Sequence, residues 1–355
     1  MTTNVLLFLG HAPEYREGFL RSLSDHCNLT VCASSGVADS LISPSSRVGY
    51  KYIELNRYRL FNFYFQSGLT SIIESKDWDA IIMPLNVRDI SRFLTILIYG
   101  KLIKPKLIWR GHIYGHSKNF IICSIRKFLL NKGVACLTYN QSIQSKVTLR
   151  HPKLKTYSFN NTHVFKDDFY QTPFLNSSKS CLNLLFIGRN TKRKNLSMLV
   201  ALLNQYDFIN LRLIGQGCTS IDHSFLKPNA LNRLSLYEYI ADSKDLIPHI
   251  QWTDSFICSG DVGLLVLTAA KYYRPIIVSS DSPNHGPEFE LAVESSQPIV
   301  SFTDNIQFSK LLSKLNSNRE YLTTYASTLS DLAKKKFTIE NMVSSHLQAI
   351  YEIKS

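Results

Sequence analysis

"LNLLFIGRNTKRKNLSMLVALLN", residues 182–204, is the stretch on which the reading of the whole chain turns. Leu182 to Ile187 is a nearly continuous apolar run of strand length, the pattern of a strand buried on both faces. Gly188 to Asn195 breaks the run, and Leu196 to Asn204 resumes it with apolar residues at helical spacing. Strand, turn and helix in that order open a parallel α/β unit. The turn carries Arg189, Lys192, Arg193 and Lys194, four cations within six residues at the carboxyl end of the strand. Like charges so placed repel one another unless an anion neutralises them, and a helix N-terminus beside them favours that anion further. An Arg fork and a Lys point charge together suit a diphosphate. A solvated basic turn is the plainer reading, and spacing alone does not separate the two.

A second turn of this kind lies in "FICSGDVGLLVLTAAKYYRPIIV", residues 256–278. A short apolar strand ends in Gly260-Asp261-Val262-Gly263, and a helix starts at Leu264. The glycines permit close backbone approach, and the helix start offers unsatisfied N–H groups. Both turns follow strands of one expected sheet.

The same alternation organises the rest of the chain. Strands are expected at 5–9, 29–33, 52–55, 80–84, 106–109 and 135–139, and helices at 15–27, 63–75, 90–103, 119–131 and 141–149. Residues 166–181, KDDFYQTPFLNSSKSC, interrupt this pattern with Pro, Ser and Asn and read as a linker. The expected architecture is α/β: an N-terminal Rossmann-like domain over 1–165, a second over 182–335, and a terminal helix within 336–355 placed to cross back to the first. Two such doubly wound domains facing a cleft would bind ligands beyond the carboxyl ends of their strands.

At 355 residues, with 45% hydrophobic side chains, the chain has enough apolar surface for two cores. No basic leader precedes the first strand, and no apolar run approaches the roughly 20 residues that span a bilayer. The seven cysteines are scattered and never spaced Cys-x-x-Cys, which suits reduced core thiols in a cytoplasm, and no structural metal is expected. The net charge of +13 is uneven: up to residue 170 there are 22 Lys and Arg against 11 Asp and Glu, and beyond it 18 against 16. A basic first half suits an anionic partner such as a membrane surface or a phosphorylated lipid. Nucleic acid fits least, because the aromatic residues follow core patterns and are not interleaved with the cations.

Four blocks, "LLFIGRNTKRKNLSMLVALL", "LRLIGQG", "DSFICSGDVGLLVLTAAKYYRPIIV" and "GPEFE", occur in the order and spacing of the C-terminal half of retaining glycosyltransferases of family 4. The chain resembles that family over 182–300, and more loosely in "GHAPEYREGFLRSL", "IWRGHIYG" and "FNNTHVF". The resemblance implies the GT-B fold, a nucleoside diphosphate sugar as donor and no cofactor. It implies that Arg189 and Lys194 hold the donor diphosphate, with Gly188, Gly217 and the turn Gly260, Asp261, Val262, Gly263 and Leu264 around the donor. The family usually carries Glu, seven residues, Glu in this block, and those positions fall here on Gly260 and Thr268. Both carboxylates are absent. The chain is similar instead to a branch with a Gly-Asn-Val-Gly-Leu turn and a later Pro-Glu-Phe-Glu. Asp261 or Glu288 then becomes the candidate for the sugar contact, and Thr268 for a weaker ribose contact.

In the first domain the resemblance points to His112, at the end of an expected strand, as the histidine near the reacting sugar; His11 and His116 compete with it. Tyr15 and Arg16 begin the first helix and suit acceptor contact. Residues 88–106 mix cations with large apolar residues, as an interfacial helix would, although a helix covering a sheet reads similarly. The function expected is transfer of a sugar from a nucleoside diphosphate sugar to a glycan acceptor, probed against two alternatives. The acceptor expected is lipid-diphosphate-linked, at the inner face of a cell membrane, as in O-antigen or capsule assembly. The alternatives are a sugar-nucleotide epimerase of the same fold and a non-catalytic sugar-nucleotide-binding subunit.

Overall fold

The computed structural model describes residues 2–34, 43–44, 46–61, 63–114, 119–170, 180–283 and 285–353. The chain divides into two compact units, Met1–His163 with Ile339–Ser355, and Val164–Thr338.

The first unit is built on β1 (Asn4–Leu9), β2 (Asn28–Ser34), β3 (Lys51–Leu55), a hairpin of β4 (Arg57–Leu60) and β5 (Phe63–Gln66), and then β6 (Ala80–Pro84), β7 (Leu107–Gly111), β8 (Ala135–Thr138) and β9 (Lys155–Ser158). Its seven-stranded sheet runs β3-β2-β1-β6-β7-β8-β9, with every pairing parallel. The strand order reverses between β1 and β6, which places a crevice at the carboxyl ends of those two strands. β1, β6, β7 and β8 are buried almost throughout, so their apolar runs are continuous and not alternating.

The second unit repeats the plan with β10 (Leu182–Ile187), β11 (Ile209–Ile214), β12 (Leu234–Tyr237), β13 (Ser255–Cys258), β14 (Ile276–Ser279) and β15 (Ile299–Val300). The six strands lie in the order β12-β11-β10-β13-β14-β15, all parallel. Here the reversal falls between β10 and β13, the two strands that carry the basic turn and the Gly-rich turn.

Three local expectations are corrected. Residues 63–66 form β5, antiparallel to β4, and the helix expected over 63–75 is confined to Leu69–Glu74. Gly68, at φ 80°, turns the chain between them, and the aromatic run Phe63-Tyr64-Phe65 favours a strand. The helix expected over 90–103 ends at Ile98 and restarts as Gly100–Ile103. Of the free cysteines Cys123 is exposed and Cys181 only half-buried, so they are not core thiols as the other five are. Within the segment read as a linker, Lys166–Asp168 form a short 3-10 turn, while 171–179 lie outside the described residues.

The terminal helix Ile339–Glu352 belongs to the first unit and packs against the helix Glu17–Ser24 and against β8 and β9. Ile339, Met342, Val343, His346, Ala349 and Ile350 form its buried stripe at helical spacing. This stripe closes one face of the first sheet. Ile350→Ala, at a fully buried position, should therefore destabilise the unit by about 2–5 kcal/mol. Calorimetric unfolding checks this: a transition unchanged within error would show that the helix adds nothing to the core.

Candidate functional site

In the second unit, β10 ends at Ile187 and the chain turns at Gly188, whose φ of 154° is glycine territory. A Cβ on Gly215, after β11, would stand 2.1 Å from the Gly188 carbonyl oxygen, so the two strand ends touch backbone to backbone. The basic segment then forms a 3-10 turn, Lys192–Lys194, and Asn195 enters the left-handed region at φ 50° to launch the helix Leu196–Gln205.

This turn is clamped to the Gly-rich one. Gly260 lies so close that an added Cβ would be 2.1 Å from the Arg193 carbonyl oxygen. Asp261 N–H donates to that same oxygen at 2.9 Å, and the Ser259 hydroxyl bonds the carbonyls of Lys194 and Asn195 at 3.0 and 2.8 Å. The Asp261 carboxylate is buried; it accepts from Arg193 Nε at 2.6 Å and from the Ser282 hydroxyl. Lys194 Nζ donates to the Asp261 carbonyl. The side chain of Arg193 is largely exposed, so the ion pair contributes through geometry more than through Coulomb energy.

Lys194, like Arg189, is half-buried, whereas Lys192 and Arg193 are exposed. Burial lowers the Lys194 ammonium below the usual lysine value, while Asp261 and Glu288 among its neighbours oppose the shift. Glu288 is itself buried. A Cβ on Gly286 would lie 2.6 Å from its carboxylate and 3.5 Å from the Gly263 Cα, which sets that carboxylate at the Gly-rich turn. Arg189 is half-buried at the end of β10.

Val262 N–H is bonded to His285 Nδ1 at 3.1 Å, and His285 Nε2 donates to the Ser279 carbonyl at 3.0 Å. That pairing requires neutral imidazole, and burial accordingly lowers the His285 pKa. The amides of Asp261 and Val262 are thus engaged within the fold. Thr268 turns its hydroxyl back to the Leu264 carbonyl at 3.4 Å. Gly217 N–H donates to Glu238 Oε2 at 3.3 Å, and the Thr219 hydroxyl bonds the other carboxylate oxygen. Glu238, His285, Ser282 and the pairing role of Arg193 carry no local sequence signal. Their partners lie 21 to 68 residues away.

In the first unit a pocket of about 310 Å³ opens at the carboxyl ends of β1, β6 and β7. It brings together Tyr15, Arg16, His11 and His112, and adds Arg110 and Tyr139, which sequence reasoning passed over. The His112 ring lies 4.5 Å from that of Tyr139. Burial, then Arg57 and Arg16, lower the His11 pKa and keep it neutral at physiological pH. His116 lies outside the described residues.

No protein-family model matches the chain, and no curated protein matches it in sequence. Solved structures match it in fold. Sucrose-phosphate synthase from Thermosynechococcus elongatus gives a TM-score of 0.67 at 13% identity over 99% of each chain. The Anabaena HepE protein, solved with UDP and glucose, gives 0.66 at 12% identity over 98% of this chain and 99% of that one. WaaB, a lipopolysaccharide outer core galactosyltransferase in its apo form, gives 0.64 at 11% identity over 99% of both. At such identities the likeness is one of fold: the chain has the GT-B fold, with two Rossmann-like units of parallel sheet.

The clamp between the turns predicts opposite fates for two neighbouring glycines. Gly260→Ala should destabilise the protein by about 1–3 kcal/mol through overpacking. Gly263→Ala, whose Cβ would meet only Lys194 Nζ at 4.0 Å, should stay within about 0.5 kcal/mol of the parent. Equal melting temperatures for the two variants would refute the close approach at Gly260.

Proposed function

We propose that the chain is a retaining glycosyltransferase of the family 4 kind, acting on a nucleoside diphosphate sugar. The observation that carries this reading is the placement of Lys194 against the Gly260–Gly263 turn, with Arg189 half-buried just after β10, at the strand-order reversal of the second unit. In open α/β sheets that crevice is where ligands bind. Arg189 and Lys194 supply positive charge where a departing diphosphate gathers negative charge, the kind of stabilisation that contributes most to such reactions. The same two cations do what a divalent metal would do, so the mechanism proposed is metal-independent. Asp261 orients Arg193 and the turn, and Glu288 offers a second buried carboxylate near Lys194 for a sugar hydroxyl. His112 in the first unit is assigned to the acceptor side, with Tyr15 and Arg16.

The reading is tested with a panel of UDP, GDP, dTDP and CMP and their common sugars. A nucleotide at a hundred times its dissociation constant should stabilise the protein by about 2.7 kcal/mol. With the active donor, Arg189→Gln and Lys194→Gln should each lower kcat by about 10²–10³. A panel in which no nucleotide shifts the melting transition would overturn the donor site. Retention would appear as a product anomer matching the donor.

The acceptor proposed is a lipid-linked glycan reached from an anionic membrane surface, as in bacterial surface polysaccharide assembly. The helix Ile90–Ile98 supports the surface contact because it is inverted. It buries Arg92 and Thr95 beside Ile96 and leaves Leu94, Leu97 and Ile98 at 48%, 47% and 71% exposure. Arg92 is paired with Asp89 at 3.2 Å, which removes it from the basic face expected over 88–106. Leu102, Phe120 and Ile121 are likewise exposed, and Phe93 and Phe128 bring the two helices together with ring centroids 6.4 Å apart. Exposed Arg88, Lys101, Lys104 and Lys127 supply the attraction to anionic lipid. No helix among the described residues is long and apolar enough to cross a membrane. Co-sedimentation with vesicles containing phosphatidylglycerol should be salt-sensitive and should fall at least tenfold in Leu97→Ser/Ile98→Ser. Equal sedimentation of parent and variant would remove this surface from the proposal.

A further inference from the structure

The pocket of the first unit contains two arginines that no carboxylate among the described residues balances. Arg110 occupies the fourth position of β7 and is only 4% exposed. Its Nε donates to His346 Nε2 at 3.1 Å, and the other imidazole nitrogen, Nδ1, donates to the Met342 carbonyl at 2.7 Å. His346 is therefore a neutral acceptor and cannot offset the guanidinium. Burial, and then the neighbouring Arg110, hold its pKa well below the usual histidine range. The guanidinium carbon of Arg110 sits 4.4 Å from the centroid of the Phe159 ring. The Nη2 of Arg110 has no hydrogen-bond partner, and it belongs to a residue that lines the pocket.

Arg16 faces the same space from the start of the first helix. Its Nε and Nη1 are buried and have no partner, while the phenols of Tyr15 and Tyr139 are hydrogen-bonded to the rest of the guanidinium. Burial pulls Arg110 down to about 10, with the nearby Arg16 adding repulsion, and it remains charged at neutral pH. Among the described residues no Asp or Glu lines the pocket. Glu17, the acid next along the chain from Arg16, is taken by Arg47 at 2.9 Å and by the Tyr50 hydroxyl at 2.7 Å. Among the described residues no ion pair includes Arg16 or Arg110.

A buried charge with unmatched donors is strongly destabilising unless something completes it. Two in one pocket, with five hydrogen-bond donors on each planar fork, match the geometry of a phosphate or carboxylate. The phenols of Tyr15 and Tyr139 can add neutral donors. The crevice lies at the strand-order reversal between β1 and β6, and its volume lies near the lower end of the range for a small-molecule site. We infer that this pocket is an oxyanion subsite in which Arg110 Nη2 and Arg16 Nε and Nη1 hold a phosphate or carboxylate borne by the acceptor. The inference rests on the reading above in assigning the pocket to the acceptor, and it adds the chemical class that the acceptor must present.

The test uses the full chain carrying Arg189→Gln and Lys194→Gln, so that the anion contacts of the second unit are removed. Titration calorimetry is run with inorganic phosphate, glucose 1-phosphate, glucuronate and neutral glucose. The expected result is that phosphate or glucuronate binds this variant while glucose binds at least tenfold more weakly. Which of the two anions binds tighter identifies the group. Adding Arg110→Gln should weaken the anion at least tenfold, and Arg110→Lys should restore part of it. Arg16→Gln, at a half-buried position, gives the same readout if Arg110→Gln fails to fold. Anion binding absent from the doubly substituted chain, or unmoved by Arg16→Gln, would overturn the subsite. Displacement of the bound anion by UDP in that chain would also overturn it, since the pocket would then serve the donor. The donor reading fails separately, if the parent and the Arg189→Gln/Lys194→Gln chain bind every nucleotide equally.

Discussion

The second unit depends on one close approach, that of the Arg193 carbonyl to Gly260. A side chain at position 260 would occupy the space of that carbonyl, so the two turns can meet only because one of them has no Cβ. Once they meet, the rest follows from local hydrogen bonding. Ser259 satisfies the carbonyls at the start of the helix Leu196–Gln205, and Asp261 gathers Arg193 and Ser282. Lys194 is pulled from solvent onto the Asp261 carbonyl. A basic segment that would otherwise be a mobile, hydrated turn thus becomes a rigid element at the sheet's strand-order reversal. Rigidity matters there because preorganised charge stabilises an anion without reorganising.

The two units use one topology and handle buried charge in opposite ways. In the second, Lys194 has Asp261 and Glu288 as neighbours, and Arg193 has Asp261. Its cations are partly compensated before any ligand arrives, which suits a ligand that brings its own spread of charge. In the first, Arg110 and Arg16 are surrounded by phenols, a neutral histidine and an aromatic ring. Here no carboxylate among the described residues compensates them. The same contrast appears in the net charge of the sequence, where nearly all of the surplus lies in the first half.

The fold was legible where burial made the pattern simple. β10 and β13 are buried along nearly their whole length, so their apolar runs mark them without help from neighbours. β9 was missed because it is a mostly half-buried edge strand, Lys-Thr-Tyr-Ser, with no apolar run to see. β5 was misread because its aromatic residues also fit a helix, and only Gly68 marks the break. The site was legible where a motif is contiguous, as at Arg189 and Lys194, and not where it is assembled across the fold. Arg110 did leave a signal. It sits inside Leu-Ile-Trp-Arg-Gly, a strand buried at every position, and a charge within a continuous apolar strand is rare enough to demand a partner.

The two carboxylates that the family resemblance leads one to expect are missing for separable physical reasons. At 260 a Glu is excluded by the backbone of Arg193, so its absence is a condition of the clamp. At 268 the hydroxyl of Thr268 is directed to the Leu264 carbonyl, which orients it along its own helix. Glu288 reaches the same turn from the loop after β14, with its carboxylate beside Gly263 and in the field of Lys194. The turn thus has a carboxylate beside it that comes from a different part of the sequence. The turn is held together by backbone contacts instead of by an acidic side chain at its tip. Under the donor reading, the sugar would therefore meet Glu288 from the β14 side of the turn.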